Sequence, residues 1–184
     1  MSEDKKVLIR DAVSSDAGRL LEIFTWYVEH TAISYAYDPP SLAEFESMIR
    51  TVTEKYPFLV AEVDGVVTGY AFAHAFVGRT AYSWSSELTI YLDRDFRRCG
   101  LGKLLYEELE RRLKQMGIQN LYACIAYPRV PDEFLDTNSA DFHAHMGFTQ
   151  AGIFHLCAYK FGRWYDMIWM EKLIGEHKTD EEHG

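Results

Sequence analysis

The chain has 184 residues, 48% of them hydrophobic and 15% aromatic, so it can bury a full core, and this length favours one domain. Its 19 lysine and arginine residues are outnumbered by 28 aspartate and glutamate residues, and the net charge of −9 argues against nucleic acid as a partner. The three cysteines, Cys99, Cys124 and Cys157, show no Cys-x-x-Cys spacing and predict neither a disulfide framework nor a zinc ribbon.

The first residues lack the long apolar stretch of a signal peptide, and no run reaches membrane-spanning length. The sequence therefore predicts a cytoplasmic protein without a membrane partner. A short strand is predicted over residues 7–10, followed by a helix that Ser14 or Ser15 could cap. Residues 31–40 break this helix, whose apolar side carries Leu20, Leu21, Phe24 and Val28.

A second helix follows the break. Ser41 lies three residues before Glu44, which is the spacing of a capping box. The pattern predicts a helix through about Glu54, with an apolar stripe made of Phe45, Met48, Ile49 and Val52.

Three strands are predicted next. Asp64-Gly65 has the composition of a two-residue hairpin turn, and it separates apolar runs over residues 58–62 and 66–76. A further alternating run over residues 87–92 predicts the strand that leads into a glycine-rich bend.

This bend, residues 97–102, reads Arg-Arg-Cys-Gly-Leu-Gly and precedes a strongly helical stretch from Lys103 to Met116. Two glycines one residue apart let the backbone approach an anion, and unpaired amides at the helix start can point at it. The bend lacks the third glycine of a dinucleotide fingerprint, because position 105 is Leu105, and it lacks the Gly-Lys-Ser/Thr of a Walker loop. It predicts a pyrophosphate-bearing ligand, with a plain strand-to-helix turn as the alternative.

The rest of the chain completes a mixed α/β order. The helix from Lys103 has an apolar face made of Leu105, Leu109, Leu113 and Met116, and Gly117 is positioned to end it. A strand over 121–126, a short helix over 139–146 and two strands around Gly162-Arg163 follow. The acidic residues 176–184 predict a disordered tail, which leaves residues 1–175 as a single domain.

Several segments, in this order, resemble the GCN5-related N-acetyltransferase (GNAT) superfamily, and more narrowly its phosphinothricin acetyltransferase branch. They are Arg-x-x-Gly-x-Gly in the bend, Arg79 to Trp84, Glu87 to Leu92, Phe142 to Phe148 and Tyr159 to Asp166. The resemblance runs from about residue 7 to 172. It implies the GNAT fold, in which a mixed, largely antiparallel central sheet of about seven strands is combined with about four helices.

The resemblance also implies an activity. The enzyme would transfer acetyl from acetyl coenzyme A to the primary amine of a small molecule, such as an amino acid or a phosphinothricin or methionine sulfone analogue. Because the thioester is already activated, direct attack in a ternary complex suffices and no metal is expected. Members of the family often form homodimers. The alternatives are a protein N-terminal or polyamine acetyltransferase, and a coenzyme-binding regulator without turnover.

A protonated amine must lose a proton before it attacks, so the reaction needs a base. Strand alternation puts Glu87, Thr89 and Tyr91 on one face, where desolvation could raise the pKa of the Glu87 carboxyl. The resemblance makes Glu87 the leading base. It makes His143 a second candidate, which could accept the amine's proton or donate one to the departing sulfur. Tyr106 matches a tyrosine of the branch near the sulfur.

Each of these three residues also has a structural alternative. Glu87 could meet solvent or an arginine, His143 could be a helix-surface histidine, and Tyr106 could pack in the core. The sequence does not choose between Glu87 and His143 as the main base.

The resemblance assigns the coenzyme to main-chain groups of the strand, to the bend and to one asparagine: Ile90, Tyr91, Leu92, Arg97, Arg98, Cys99, Gly100, Leu101, Gly102, Lys103 and Asn138. Branch members tend to have an asparagine seven residues before the histidine, where this chain has Asp136. Asn138 is the nearest asparagine, and the segment 127–136 looks longer than usual, so coenzyme contacts here depart from the branch pattern.

For the amine substrate the resemblance suggests Ser34, Tyr35, Arg79, Tyr82 and Tyr159. Arg79 could hold a carboxylate or phosphinate through two hydrogen bonds. Lys160, beside Tyr159, is suggested as a substrate contact or as part of a dimer interface.

Overall fold

The computed structural model describes residues 6–178. Its strands are β1 (Val7–Asp11), β2 (Phe58–Val63), β3 (Val66–Ala75), β4 (Ser85–Leu92), β5 (Asn120–Tyr127), β6 (Thr149–Lys160) and β7 (Arg163–Leu173). Its α-helices are α1 (Ala17–His30), α2 (Leu42–Thr53), α3 (Leu101–Gln115) and α4 (Asn138–His145).

The strands form one seven-stranded sheet in the order β1-β2-β3-β4-β5-β7-β6. All neighbours are antiparallel except β4 and β5, which run parallel. This parallel pairing covers only Ser85 to Glu87 of β4 against Asn120 to Tyr122 of β5. Beyond Glu87 the two strands separate, and this opening is called the cleft below. The mixed α/β fold class predicted from the sequence is confirmed.

Helices cover both faces of the sheet. Leu105, Leu109 and Leu113 of α3 are fully buried in one core, which also contains Leu88 of β4. The core on the opposite face is formed by α1 and α2 against β2 and β3, through Leu20, Ile23, Phe45, Ile49, Phe58, Tyr70 and Phe72. Burial of apolar side chains such as these is the main contribution that holds helices on a sheet.

Strand β4 alternates between these two cores. Leu88 lies in the α3 core, and Ile90 and Leu92 pack against it, whereas Tyr91 packs against the α1 and α2 core. The alternation predicted for this strand is therefore confirmed. It directs Glu87 to the same side as Tyr91.

The helix starts differ in how well they were predicted. The Ser41 hydroxyl accepts the Glu44 amide, and the Glu44 carboxylate accepts the Ser41 amide, as the capping-box prediction requires. At α1 the prediction was wrong, because a 3-10 turn over Ser14–Asp16 precedes the helix. The carboxylate of Asp16, not a serine hydroxyl, accepts the Val13 amide there.

Helix α3 begins at Leu101, two residues earlier than predicted. The second glycine of the bend therefore lies inside the first helical turn. Met116, which was predicted on the apolar face of this helix, is 47% exposed because the helix ends at the preceding residue.

The turn between β2 and β3 has the predicted geometry. Asp64 and Gly65 both have positive φ, 52° and 82°, as a primed two-residue hairpin turn requires.

Among residues 6–178, no helix is long and apolar enough to cross a membrane. Residues 179–184 of the predicted tail lie outside the described residues.

Candidate active site

The cleft exposes backbone groups that a regular sheet would pair. Ile90 to Leu92 of β4 pair with β3 on one side, but they have no pairing with β5 on the other. The bend and the first turn of α3 lie immediately after this stretch. An extended ligand could thus bind along the open edge of β4 and reach the start of α3.

The bend presents main-chain donors at the start of α3. Gly100 is the N-cap residue and has φ 79°, a left-handed conformation that favours glycine. The Leu104 amide makes the first helical hydrogen bond, to the Gly100 carbonyl at 3.2 Å. The amides of Leu101, Gly102 and Lys103 precede it and have no carbonyl acceptor within the helix, so they are available to an anion.

Arg97, the first residue of the bend, carries an unsatisfied buried donor. Its Nε donates to the Tyr27 hydroxyl at 3.2 Å, and its guanidinium lies over the Trp26 and Tyr27 rings at 5.3 and 5.0 Å. Its Nη2 is buried and finds no hydrogen-bond partner among residues 6–178. A buried cationic donor without an acceptor is costly, and a phosphate oxygen would satisfy it.

The second glycine has a packing role. A Cβ at Gly102 would lie 3.0 Å from the Phe142 ring of α4, and 3.5 Å from Ile90 of β4. The contact with Ile90 would be ordinary, but a side chain at this position would require the Phe142 ring to move by a few tenths of an ångström. The Leu101 side chain is buried, so this residue offers only backbone to a ligand, whereas Arg98, Cys99 and Lys103 are exposed.

Glu87 lies where β4 and β5 begin to separate. Its side chain is 20% exposed, and its carboxylate makes no hydrogen bond within the described part of the chain. Burial raises its pKa, which the nearby imidazole of His74 partly offsets. The Glu87 charge also raises the pKa of the Tyr106 hydroxyl, so the two groups are close although they come from opposite sides of the sheet. Within residues 6–178 no arginine pairs with this carboxylate, and its exposed fraction faces the cleft.

Tyr106 and His143 form a buried pair. The Tyr106 hydroxyl is 2.8 Å from His143 Nε2, and His143 Nδ1 is 2.7 Å from the Ser139 carbonyl. Because a carbonyl only accepts, Nδ1 carries the hydrogen and Nε2 accepts from the Tyr106 hydroxyl. The His143 side chain is not on the helix surface: the residue is 3% exposed, and burial lowers its pKa to about 4.

The α1–α2 loop, residues 31–40, spans the cleft on the Glu87 side. The Ser34 side chain lies close enough to the Tyr91 hydroxyl of β4 to offset part of the rise that burial causes in the Tyr91 pKa. The Tyr35 hydroxyl donates to the Asp166 carbonyl of β7, on the other side of the cleft. The loop also docks on the segment that follows β5, through Ala32 N to Phe134 O at 2.9 Å.

Lys160 anchors this loop from inside the fold, a role that the sequence did not indicate. Its Nζ donates to the carbonyls of Val28, Thr31 and Ser34 at 2.7, 2.9 and 2.7 Å. The residue is 2% exposed, and desolvation lowers its pKa. The expectation that Lys160 contacts the substrate or a partner chain was wrong, because its ammonium group is used inside the fold.

The other predicted substrate residues are spread along the site. Arg79 and Tyr82 are exposed in the β3–β4 connection, and Tyr82 contacts Phe76, which stacks on Tyr122, the cross-strand partner of Glu87. Tyr159 is different, because it lies on the edge strand β6, separated from β4 by β5 and β7.

The segment between β5 and α4 is folded on itself. Asp132 accepts the amides of Phe134 and Leu135, and Tyr165 of β7 donates to it at 3.0 Å. Asn138 is the exposed first residue of α4, where its amide donates to the Asp136 carboxylate. Across residues 6–178, no cluster of three or more His, Cys, Asp or Glu side chains could hold a metal ion.

Comparisons with known proteins agree with this architecture. Residues 9–169 match the family model described as an acetyltransferase (GNAT) domain. A phosphinothricin N-acetyltransferase from Streptomyces viridochromogenes is 32% identical over 165 residues, which cover 90% of this chain and 86% of that protein. An L-methionine sulfoximine/L-methionine sulfone acetyltransferase from Salmonella typhimurium is 30% identical, over 94% of this chain and 98% of that protein.

Solved structures show the same fold. A GNAT superfamily phosphinothricin acetyltransferase from Sinorhizobium meliloti, in complex with AcCoA, superposes with a TM-score of 0.83 at 34% identity. The match covers 92% of this chain and 89% of that chain. This chain belongs to the GNAT acetyltransferase family.

Proposed function

We propose that this protein transfers acetyl from acetyl coenzyme A to the primary amine of a small molecule, an amino acid or a phosphinothricin or methionine sulfone analogue. The observation that carries the proposal is the cleft itself. A half-buried carboxylate without a hydrogen bond, Glu87, stands at its closed end, and a buried donor without an acceptor, Arg97 Nη2, stands in the bend beyond its open end. The relatives named above support the acceptor class.

In this proposal the coenzyme lies along the open edge of β4. Main-chain groups of Ile90 to Leu92 bind its arm, and the free amides at the start of α3 together with Arg97 bind its diphosphate. Arg98, Cys99 and Asn138 are proposed contacts at its exposed side. When bound, the thioester supplies an acyl carbon that is already activated toward an amine.

Glu87 is the proposed base. Burial raises its pKa, which makes the carboxylate a better proton acceptor than an exposed glutamate. The nitrogen that loses a proton to Glu87 then attacks the acyl carbon, so that a C–N bond forms and the C–S bond breaks. Proximity of the two bound reactants supplies most of the remaining acceleration.

Tyr106 and His143 are proposed to manage the proton at the sulfur. Burial raises the pKa of the Tyr106 hydroxyl, so it stays protonated. To serve the sulfur it turns its hydrogen from His143 Nε2 to the departing thiolate, and it regains a proton from the nitrogen as the amide forms. His143 stays neutral above about pH 4, and its Nε2 orients the Tyr106 hydroxyl. In this assignment His143 acts through Tyr106 and does not receive the proton of the amine.

The amine substrate is proposed to lie between Glu87 and the α1–α2 loop. Ser34, Tyr35 and Tyr82 are proposed to line this space, and Arg79 is proposed to bind an acidic group of the substrate. The guanidinium of Arg79 is exposed and forms no ion pair with any residue in 6–178, so it is free to do so.

We also propose that the protein is a cytoplasmic homodimer. The edge strand β6 and the following β7 present exposed apolar side chains, Ile153, Phe154, Leu156, Tyr159 and Trp164, each at least 37% exposed. An unpaired edge that carries a large apolar patch is a common site of subunit contact. Tyr159 fits this surface better than the amine site.

The test of the function is thiol release from acetyl coenzyme A over a panel of amino acids, phosphinothricin, methionine sulfone, spermidine and short peptides. We expect turnover with amino acids or their analogues. Turnover with peptides or spermidine alone would favour a protein N-terminal or polyamine acetyltransferase. Binding of coenzyme A without thiol release with any amine would indicate a coenzyme-binding regulator without turnover.

Gly100→Val tests the phosphate bend directly. We expect coenzyme A affinity to fall at least about tenfold, because a side chain would fill the space that the phosphates need. Gly65→Val is the matched control, because both glycines have φ near 80° and an added Cβ at either would meet no atom within 4 Å beyond its chain neighbours. Equal coenzyme affinity in the two variants would show that the bend is not part of the coenzyme-binding site.

A further inference from the structure

We propose that His74 carries the proton that Glu87 takes from the amine out to solvent, and that it is therefore a second acid–base residue of the reaction. The inference rests on the proposed function. It starts from the strand register, because His74 of β3 is the direct cross-strand partner of Glu87 of β4. His74 Nε2 lies 3.9 Å from Glu87 Oε2, and within residues 6–178 no other cationic group approaches this carboxylate.

The stoichiometry of acetyl transfer requires such an exit. An ammonium and a thioester become an amide and a thiol, and one proton is left over in each turnover. Glu87 can accept this proton once, but it must lose it before the next amine binds. A bound amine and thioester would cover the exposed face of Glu87, so a lateral path allows the carboxylate to be restored before the products leave.

The tautomer of His74 suits this role. Its Nδ1 is 3.1 Å from the Ala75 carbonyl, so Nδ1 carries a hydrogen, and in the neutral ring this leaves Nε2 with a lone pair toward Glu87. The Ser86 hydroxyl donates to the His74 carbonyl at 2.7 Å and fixes the backbone at this position. The imidazole is 36% exposed, so a proton received at Nε2 can pass to water. A small side-chain rotation brings the two atoms from 3.9 Å to hydrogen-bond distance.

The other titratable groups around Glu87 cannot take the proton. Tyr122 and Cys124 project from β5 and Tyr106 from α3, and burial raises the pKa of all three, that of Cys124 to about 12. They remain protonated at neutral pH and therefore cannot accept. Glu171 of β7 is close enough to Tyr122 to raise the pKa of that hydroxyl, but the Tyr122 ring stacks on Phe76 between β3 and β5.

A proton leaves the ammonium nitrogen for a Glu87 oxygen, the same carboxyl then gives a proton to His74 Nε2, and the resulting imidazolium loses its Nε2 proton to water or buffer. Glu87 returns to the carboxylate and His74 to the neutral ring. No electron transfer or further reactant is involved.

The test uses His74→Ala and His74→Gln in the full chain, assayed with the best amine of the panel at saturating acetyl coenzyme A. We expect kcat to fall about tenfold in both variants, with coenzyme affinity unchanged. Imidazole added to the His74→Ala reaction should restore kcat in proportion to its free-base concentration. His177→Ala, which removes another exposed histidine, is the control and should match the wild type with and without imidazole.

Two results would overturn the proposal. One is a wild-type kcat in both variants, and the other is a reduced kcat that imidazole does not raise, which would assign the loss to the contact between the His74 and Phe72 rings. Neither touches the proposed function, which fails only if the wild-type enzyme releases no thiol with any amine.

Discussion

At the scale of single residues, the site depends on polar groups that the fold buries without full satisfaction. Within residues 6–178, Nη2 of Arg97 is buried without a hydrogen-bond partner, and the half-buried carboxylate of Glu87 makes no hydrogen bond and lies 3.9 Å from His74 Nε2, whereas Tyr106 and His143 hydrogen-bond to each other. Buried polar groups are normally hydrogen-bonded, so the first two are best explained by ligands that complete them. The Tyr106–His143 pair is complete without a ligand.

Glu87→Gln should lower kcat/KM about 100-fold near pH 6.5 and progressively less toward pH 9. Glutamine keeps the size of the side chain but cannot accept the proton, and the defect shrinks as more amine is already unprotonated. A pH series of thiol-release rates measures this. A constant ratio of wild type to variant across the series would transfer the base role to another group.

His143 should make the folded protein sensitive to acid. Its pKa is lowered from 6.5 to about 4 by burial, so between these values the unfolded chain binds a proton that the native protein excludes. Stability is thus unaffected above pH 6.5 and falls as pH drops toward 4. At pH 4.5 the loss is about 2 to 3 kcal/mol, taken at about 1.4 kcal/mol per pH unit.

Urea unfolding of wild type and His143→Gln at pH 7.5 and pH 4.5 tests this sign. The variant should be less stable than wild type at pH 7.5, and the difference should narrow by about 2 kcal/mol at pH 4.5. Carboxyls with lowered pKa, such as those of Asp16 and Glu108, also weaken the fold in acid, but they act equally in both proteins. A difference that is the same at both pH values would contradict the buried neutral state of His143.

The sequence identified residues whose chemistry follows from local pattern and resemblance, and it missed those that depend on long-range register. Strand alternation predicted that Glu87 and Tyr91 share a face, and the family resemblance predicted the role of Glu87 as the base. His74 was not, since its pairing with Glu87 is set across an irregular connection of residues 76–84 whose length does not define the register. Lys160 was found but misassigned, because no local pattern shows that a lysine points into the fold.

At the level of helices and strands, the predicted types agree with the structure, whereas the predicted starts of α1 and α3 differ from it. Apolar periodicity identified every helix and strand, and the Ser41–Glu44 box fixed the start of α2. The start of α1 was missed because a 3-10 turn over Ser14–Asp16 takes up both serines and makes Asp16 the N-cap residue. Helix α3 begins earlier than predicted because its first turn includes Gly102, whose lack of a side chain leaves room for the Phe142 ring.

The α1–α2 loop is the element on which the amine site depends, and Lys160 is its anchor. In Lys160→Met three carbonyls lose their donor while the apolar stem remains, which should lower the free energy of unfolding by about 3 kcal/mol. The loop should then hold Ser34 and Tyr35 less firmly. We expect the KM for the amine to rise about tenfold, which corresponds to about 1.4 kcal/mol.

Steady-state kinetics and calorimetric titration with coenzyme A separate this effect from general destabilisation. Coenzyme affinity should change less than about twofold, since the bend is not touched. Lys172→Met is the control, because it removes a lysine that pairs with Glu110 at 2.6 Å away from the loop. An unchanged KM for the amine in a folded Lys160→Met protein would mean that Lys160 supports the fold without positioning the loop.

At the scale of the whole molecule, the two edges of the sheet differ. The edge strand β1 is short and pairs with β2 along its length, whereas β6 has 12 residues and is exposed along nearly all of them. A bulge between Phe154 and Ala158 interrupts its pairing with β7, and Leu156 there has φ 49°. The amide of Leu156 donates to the buried Asp166 carboxylate, which keeps the bulge in place.

Phe154→Glu should separate the proposed dimer into monomers. Phe154 is 54% exposed on β6, and burying a glutamate against a second copy would cost about 2 kcal/mol or more, about 30-fold in the dimer dissociation constant. Leu8→Glu on β1 is the control, since Leu8 is 46% exposed on the opposite edge. Sedimentation equilibrium should show a mass near 21 kDa for the first variant and twice that for the control and the wild type. A dimer that survives Phe154→Glu, or one that only Leu8→Glu disrupts, would move the subunit contact away from β6.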